Sequence, residues 1–327
     1  MQIKTISVHK YHEYLDTVRE KEFLQSDYQG MKFSQQGWEV EYIEAIKDGK
    51  TVAFSMIACM PLMKVFKYCY IPRGFFMDYH SKEDVISFTS SLKEYLKKKN
   101  VIYAEIDPSI EFVQRDKDGN IVEGGYNNFD VVENLKAAGF LHLPMKPGYD
   151  ISKECRWVSV LNLKGKTKEE IFKEFSYQTR QDIRTYEKYC VKTRFLNEDQ
   201  LDILDEMEKE TSERQDFEAM SLDFYKDLYH FYGKSHIETV LSYLDLDAYA
   251  IKMQSEFDKT SKDIEKTKAF LEQNPGNVKK EKRLKTDEEY YNSLQKKLSH
   301  IEELKQEYGK EIPLACCLFV KYGHQIV

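Results

Sequence analysis

Residues 251 to 311 form a long charged stretch that interrupts a chain otherwise patterned for compact packing. Ahead of it runs Val240-Leu241-Ser242-Tyr243-Leu244, continuing to Tyr249-Ala250-Ile251. Behind it comes Ile312-Pro313-Leu314-Ala315-Cys316-Cys317-Leu318-Phe319-Val320, which reads as a buried strand. Within the stretch, Met253, Phe257, Ile264 and Leu271 recur at spacings of four and seven. Tyr291, Leu294, Leu298, Ile301 and Leu304 recur at spacings of three and four. One narrow apolar stripe on each of two helices is what an antiparallel coiled-coil hairpin needs. Asn274-Pro275-Gly276-Asn277 lies between them and supplies the turn, since proline does not continue a helix. An exposed arm of this kind, inserted inside a domain, implies contact with something large.

The flanking regions alternate strand and helix patterns. In the first half, 40–46 and 51–60 read as strands joined at Lys47-Asp48-Gly49-Lys50. Residues 65–70 and 101–106 read as further strands. Residues 82–99 read as an amphipathic helix with Val85, Phe88, Leu92, Tyr95 and Leu96 inward, and 129–138 as a helix stopped by Gly139. The pattern then repeats, with strands at 157–163 and 191–195 and helices at 167–175, 178–189, 198–212 and 221–232. The expected fold class is α/β: a first domain at 1–155, a second at 156–250 and 312–327, and a helical arm at 251–311. Gln325-Ile326-Val327 reads as the start of a new strand, so the second domain is expected to be incomplete at its C-terminal end.

A net charge of −7 argues against bulk electrostatic attraction to nucleic acid, so an anionic partner would have to be met by local basic patches. Two such patches stand out. Arg180, Arg184 and Lys188 share a helix face, with Lys192 and Arg194 close behind. Lys279, Lys280, Lys282 and Arg283 lie near the tip of the arm. Either patch fits a nucleic-acid backbone or an ordinary solvated helix face. The N-terminus carries no signal-peptide pattern, and no window approaches the ~20 apolar residues of a membrane span. Six cysteines without a CxxC pair fit reduced thiols and a cytoplasmic setting. The histidines make no metal-ligand spacing, and no metal or cofactor is expected.

The chain resembles the FemABX family, in its FemA and MurM branch. The likeness is carried by Phe23-Leu24-Gln25-Ser26, by Met60-Pro61-Leu62-Met63-Lys64-Val65-Phe66-Lys67-Tyr68-Cys69-Tyr70, by Arg73-Gly74 and by Asp78-Tyr79. It also shows in Ile106-Asp107-Pro108, Ser212-Glu213, Phe224-Tyr225, Glu311-Ile312-Pro313 and the inserted hairpin. The resemblance implies two acetyltransferase-like (GNAT-like) domains with a coiled-coil arm. It implies transfer of glycine, alanine or serine from aminoacyl-tRNA to the stem-peptide amine of a lipid-linked peptidoglycan precursor. It also implies members that continue beyond residue 327. The protein would work at, or peripherally visit, the inner face of the plasma membrane, and a homo- or hetero-dimer with a related member fits the arm.

Such a reaction is aminolysis of an ester. The amine must lose a proton, the tetrahedral oxyanion needs stabilisation, and the ribose oxygen leaves protonated. Asp107 follows a strand, where α/β folds usually meet ligands, and its carboxylate is the catalytic candidate. A plain turn residue before Pro108 is the alternative. The resemblance places Lys32 on the precursor's diphosphate, with an ordinary solvated lysine as the alternative. Arg73, in a turn after a strand, could present its guanidinium to phosphate or be a plain surface turn arginine. Met220 and Phe224 stand where relatives carry an arginine and a tyrosine, so either Arg214 and Tyr225 substitute in binding substrate or the precursor contacts differ from those of relatives. Two other readings compete. One is a non-enzymatic coiled-coil interaction protein. The other is a CoA-dependent acetyltransferase, which would need a glycine-rich pyrophosphate loop that Gly124-Gly125 does not supply.

Overall fold

The computed structural model describes residues 1–62, 64–144, 155 and 157–327. It contains two compact units. The first comprises Met1–Ser159, Asp223–Glu238 and Phe319–Val327; the second comprises Val160–Leu222 and Thr239–Leu318.

The first unit is built on β1 (Gln2–Ile6), α1 (Val8–Thr17), α2 (Asp27–Gln35), β2 (Glu39–Lys47), β3 (Lys50–Pro61), β4 (Lys67–Ile71), β5 (Phe76–Met77), α3 (Lys82–Lys97), β6 (Val101–Ile106) and α4 (Phe129–Ala137). The sheet order is β1-β2-β3-β4-β6, with β5 against β3. The β2–β3 turn is made at Asp48 and Gly49, with φ of 50° and 77°. Two successive left-handed residues give the turn whose twist suits a two-residue hairpin. β4 and β6 pair in parallel. A parallel pair needs a crossover, and α3 provides it, capped by Ser81, whose side chain accepts from the Asp84 amide.

Strand alternation gives β3 two buried faces. Ala53, Ile57 and Cys59 pack in one core with Val85, Phe88, Leu92 and Leu96 of α3. Met56 and Ala58 pack in another with Tyr11 and Leu15 of α1 and Phe33 of α2. A strand covered by helices on both sides reads as a nearly continuous apolar run, as Val52 to Met60 does apart from Ser55. At Gly30, α2 passes so close to the Tyr42 hydroxyl that an added Cβ would collide with it.

The rest of the chain contributes α5 (Lys168–Glu174), α6 (Tyr177–Lys188), β7 (Val191–Leu196), α7 (Leu201–Gln215), α8 (Leu222–Tyr232), β8 (Ile237–Asp245), α9 (Leu246–Gln273), α10 (Val278–Tyr308), β9 (Glu311–Tyr322) and β10 (Gln325–Ile326). A four-stranded sheet has the order β10-β9-β8-β7. α9 and α10 are the hairpin arm. Its 28- and 31-residue helices bury Met253, Ile264, Leu294 and Ile301 from the expected stripes. Phe257 stacks on Tyr291 at 4.3 Å between centroids. Gly276 takes φ of 83° in the turn, and the Asn277 side chain caps α10 by accepting from the Lys280 amide at 3.2 Å.

The arm's first helix begins at Leu246, ahead of the expected residue 251. Asp245 accepts from the Ala248 amide at 2.8 Å and so starts the helix there. The strand expected at 157–163 is not formed. Trp157, Val158 and Val160 are exposed, and among the described residues no strand pairs with that stretch. An apolar run without a ladder partner has no reason to be a strand. All six cysteines are free.

Candidate functional site at the β4 and β6 strand ends

Parallel pairing aligns Ile71 with Ile106, so β4 and β6 end side by side. Pro72-Arg73-Gly74 and Asp107-Pro108 therefore leave the sheet together. Arg73 has φ of 53°, a left-handed conformation that a non-glycine residue adopts only when its surroundings hold it. Here the holding group is Asp107. The Arg73 amide donates to Asp107 Oδ1 at 2.8 Å, and the Tyr70 hydroxyl donates to Oδ2 at 3.1 Å. The guanidinium Nη1 lies 4.0 Å from the same Oδ2. The Asp107 side chain keeps 26 % of its surface exposed, so the carboxylate is fixed yet reachable. A carboxylate held this way can orient an ammonium and accept its proton.

Beside this turn lies a cleft of about 350 Å³, lined among others by Glu22, Phe54, Arg73, Phe76, Tyr79 and Ser109. Asp107 reaches it through Arg73, which forms part of the wall. Ser109 donates to the Glu22 carboxylate through its hydroxyl and to the Arg73 carbonyl through its amide, the latter at 3.4 Å. Tyr79 accepts from the Phe75 amide at 2.8 Å. Burial, with a smaller push from the Asp107 charge, moves the Tyr79 phenol well above its ordinary range despite that amide, so it stays protonated.

Gln25 sets the height of the turn. Its side chain is fully buried. Nε2 donates to the Pro72 carbonyl at 2.5 Å and to the Met56 carbonyl at 3.1 Å. Oε1 accepts from the Met56 amide at 2.8 Å and from the Tyr11 hydroxyl at 2.9 Å. One side chain thus joins α1, β3 and the residue before Arg73. Sequence reasoning missed this role, and the available signal was a glutamine within an apolar stretch directly before the capping Ser26.

Lys32 lies on the buried face of α2, with its Nζ 4.4 Å from the Phe224 ring centroid. Among the described residues no ion-pair or hydrogen-bond partner of this ammonium is found. Burial lowers its pKa from 10.5, and the Asp227 charge only partly offsets that. Phe224 supplies a cation–π face where a tyrosine was expected. Tyr225 is buried with its ring 5.5 Å from Phe224.

The FemAB family model matches residues 6–327. The chain belongs to the FemAB family. Relatives include "Aminoacyltransferase FemA" of Staphylococcus epidermidis, 29 % identical over 280 residues, covering 86 % of this chain and 67 % of that protein. "Aminoacyltransferase FemA" of Staphylococcus aureus is 29 % identical over 332 residues, covering all of this chain and 78 % of that protein. Among solved structures, "Crystal structure of FemX" superposes with a TM-score of 0.73 at 20 % identity, over the whole chain and 79 % of that one. The mixed α/β fold is thus that of FemX, and this FemAB member is a transferase enzyme.

The remaining candidates are spread over the second unit. Arg214 is exposed in the last turn of α7. Arg180 donates to the Lys173 carbonyl at 2.9 Å and to that of Phe175 at 2.5 Å, so it serves the α5–α6 connection. Arg184 lies over the Phe172 ring, and Lys188 is exposed. Lys192 pairs with Asp245 and Arg194 with Glu311. On the arm, Lys280 lies over the Phe270 ring and Arg283 pairs with Asp287 at 3.4 Å, while Lys279 and Lys282 are exposed. Among the described residues no group of His, Cys, Asp and Glu could hold a metal, and no helix is long and apolar enough to cross a membrane.

Proposed function

We propose that this FemAB member transfers glycine, alanine or serine from aminoacyl-tRNA to the stem-peptide amine of a lipid-linked peptidoglycan precursor, building an interpeptide bridge. The observation that carries the reading is the Asp107 carboxylate, clamped at the β6 end by the Arg73 amide and the Tyr70 hydroxyl. The acceptor amine nitrogen attacks the ester carbonyl carbon, forming the new C–N bond. The C–O bond to the ribose then breaks, and the ribose oxygen leaves with a proton. Asp107 orients the ammonium and takes the proton that makes it nucleophilic. Lys32 and Arg73 are the cations for the diphosphate. A buried ammonium with no carboxylate within hydrogen-bond reach among the described residues suits an anion brought by the substrate. Lys279, Lys280, Lys282 and Arg283 on the arm, with Arg184 and Lys188 of α6, are the candidates for the tRNA backbone, in a contact that weakens as salt rises.

The test is transfer of radiolabelled glycine, alanine or serine from charged tRNA into lipid-linked precursor. It should be run with this chain and with a form extended to the length of the FemA relatives. Label in the product that depends on charged tRNA is the expected result. No transfer by either form with any of the three amino acids sinks the reading.

A further inference from the structure

We propose that the β3–β4 hairpin tip and the adjoining C-terminal end of α3 form a docking surface for an anionic lipid bilayer. At the tip, Met60, Leu62, Val65 and Phe66 are exposed, by 38 %, 52 %, 63 % and 40 %. Among the described residues these side chains belong to no core cluster, and the Leu62 amide donates to the Phe66 carbonyl at 2.9 Å. Aliphatic and aromatic groups exposed together in this way form a surface that gains by leaving water.

The base of the hairpin has the composition of a membrane interface. Tyr68 stacks on Tyr103 at 5.6 Å, and Trp38 meets Tyr68 edge-on at 6.0 Å. Tyr103 is 49 % exposed on the edge strand β6. Rings with one apolar end and one polar end favour the headgroup level.

Charge selects the occupant. The Lys67 amide donates to the Asn100 carbonyl at 3.0 Å, which ties the hairpin base to the end of α3. Residues 93–99 hold four lysines against the single carboxylate of Glu94. The acidic neighbours Glu39 and Glu41 are neutralised by Lys67 at 2.5 Å and Lys99 at 2.6 Å. Lys64, Lys97 and Lys98 are exposed and have no ion-pair partner among the described residues. This local positive sign stands on a chain of net charge −7, so a bilayer of like sign would be met by this patch rather than by the surface at large. Lysines around an apolar tip argue for lipid over a protein partner, because interface cores are depleted in lysine, whereas lysine stems snorkel readily along a bilayer.

The proposal rests on this surface alone. It is tested with substrate-free vesicles, so its failure leaves the transfer reading standing. The full chain is sedimented with phosphatidylglycerol vesicles and, separately, with phosphatidylcholine vesicles. The expected result is binding to the first that is ~tenfold or more tighter than to the second. Both Leu62→Asp with Phe66→Asp and Lys64→Glu with Lys97→Glu and Lys98→Glu should weaken it by ~tenfold or more. Phe66→Trp, read by fluorescence, should shift to the blue on anionic vesicles and be quenched by brominated lipid. No binding by the parent chain, binding that survives both sets of substitutions, or emission from the Phe66→Trp protein that stays unshifted overturns the proposal. So does a dimer in solution that Phe66→Asp dissolves, which would mean that a second copy covers the tip.

Discussion

In the arm, two helices are held by Met253, Leu294, Ile301 and their apolar neighbours, with ion pairs such as Lys268–Glu288 at 2.8 Å on the outside. Around Asp107, the chain is held by polar groups: a carboxylate on a left-handed Arg73, and a buried glutamine on the carbonyl before it. Apolar contacts are non-directional, so losing one weakens the arm in proportion to the area lost. Buried hydrogen bonds are directional, and losing one partner strands the others. The Asp107 turn is therefore the more exacting of the two regions.

Gln25→Ala probes that difference most strongly. It strands the Pro72 and Met56 carbonyls and the Met56 amide, and should cost about 3 kcal/mol in urea unfolding. A loss below ~1 kcal/mol would mean that the turn does not depend on its polar hub. Leu294→Ala should cost about 2 kcal/mol or somewhat more, because its side chain is fully buried. Hydrogen exchange should show α9 and α10 losing protection while β2 and β3 keep theirs. Loss spread evenly over all four elements would break the contrast.

A smaller effect is expected from Glu44. Burial pushes its carboxyl up, but hydrogen bonds from Lys10, Tyr14 and Thr51 outweigh that, and the net shift from 4.5 is downward. A depressed carboxyl contributes stability above its unfolded value and loses it as pH falls through the folded one. The difference in melting temperature between the parent and Glu44→Gln should therefore shrink as pH falls from 7 to 3. A gap that does not change with pH removes Glu44 from the account. Least of all, Arg283→Ala on the exposed arm should change stability by no more than about 0.5 kcal/mol.

The arm was legible in the sequence because its signal is local. Stripes at helical spacing and one Pro-Gly turn suffice to specify a hairpin. The Lys47–Lys50 turn, the crossover helix with its inward Val85, Phe88 and Leu92, and Asp107 at a strand end were readable for the same reason. The convergence on Asp107 was not. Tyr70 and Arg73 lie more than thirty residues from it in sequence, and only the parallel β4–β6 register brings them together. Gln25 and Glu22 join from farther still. The strand expected at 157–163 shows the converse: its apolar pattern was local, but a strand also needs a ladder partner.

The measurement that bears most directly on the account is the transfer rate of Asp107→Asn beside its thermal melt. Asparagine keeps an acceptor for the Arg73 amide but cannot take up the amine's proton. The account predicts a fall in transfer of about hundredfold with a melting temperature near that of the parent. Full transfer by a folded Asp107→Asn protein would contradict it, and would reduce Asp107 to the residue that fixes the turn.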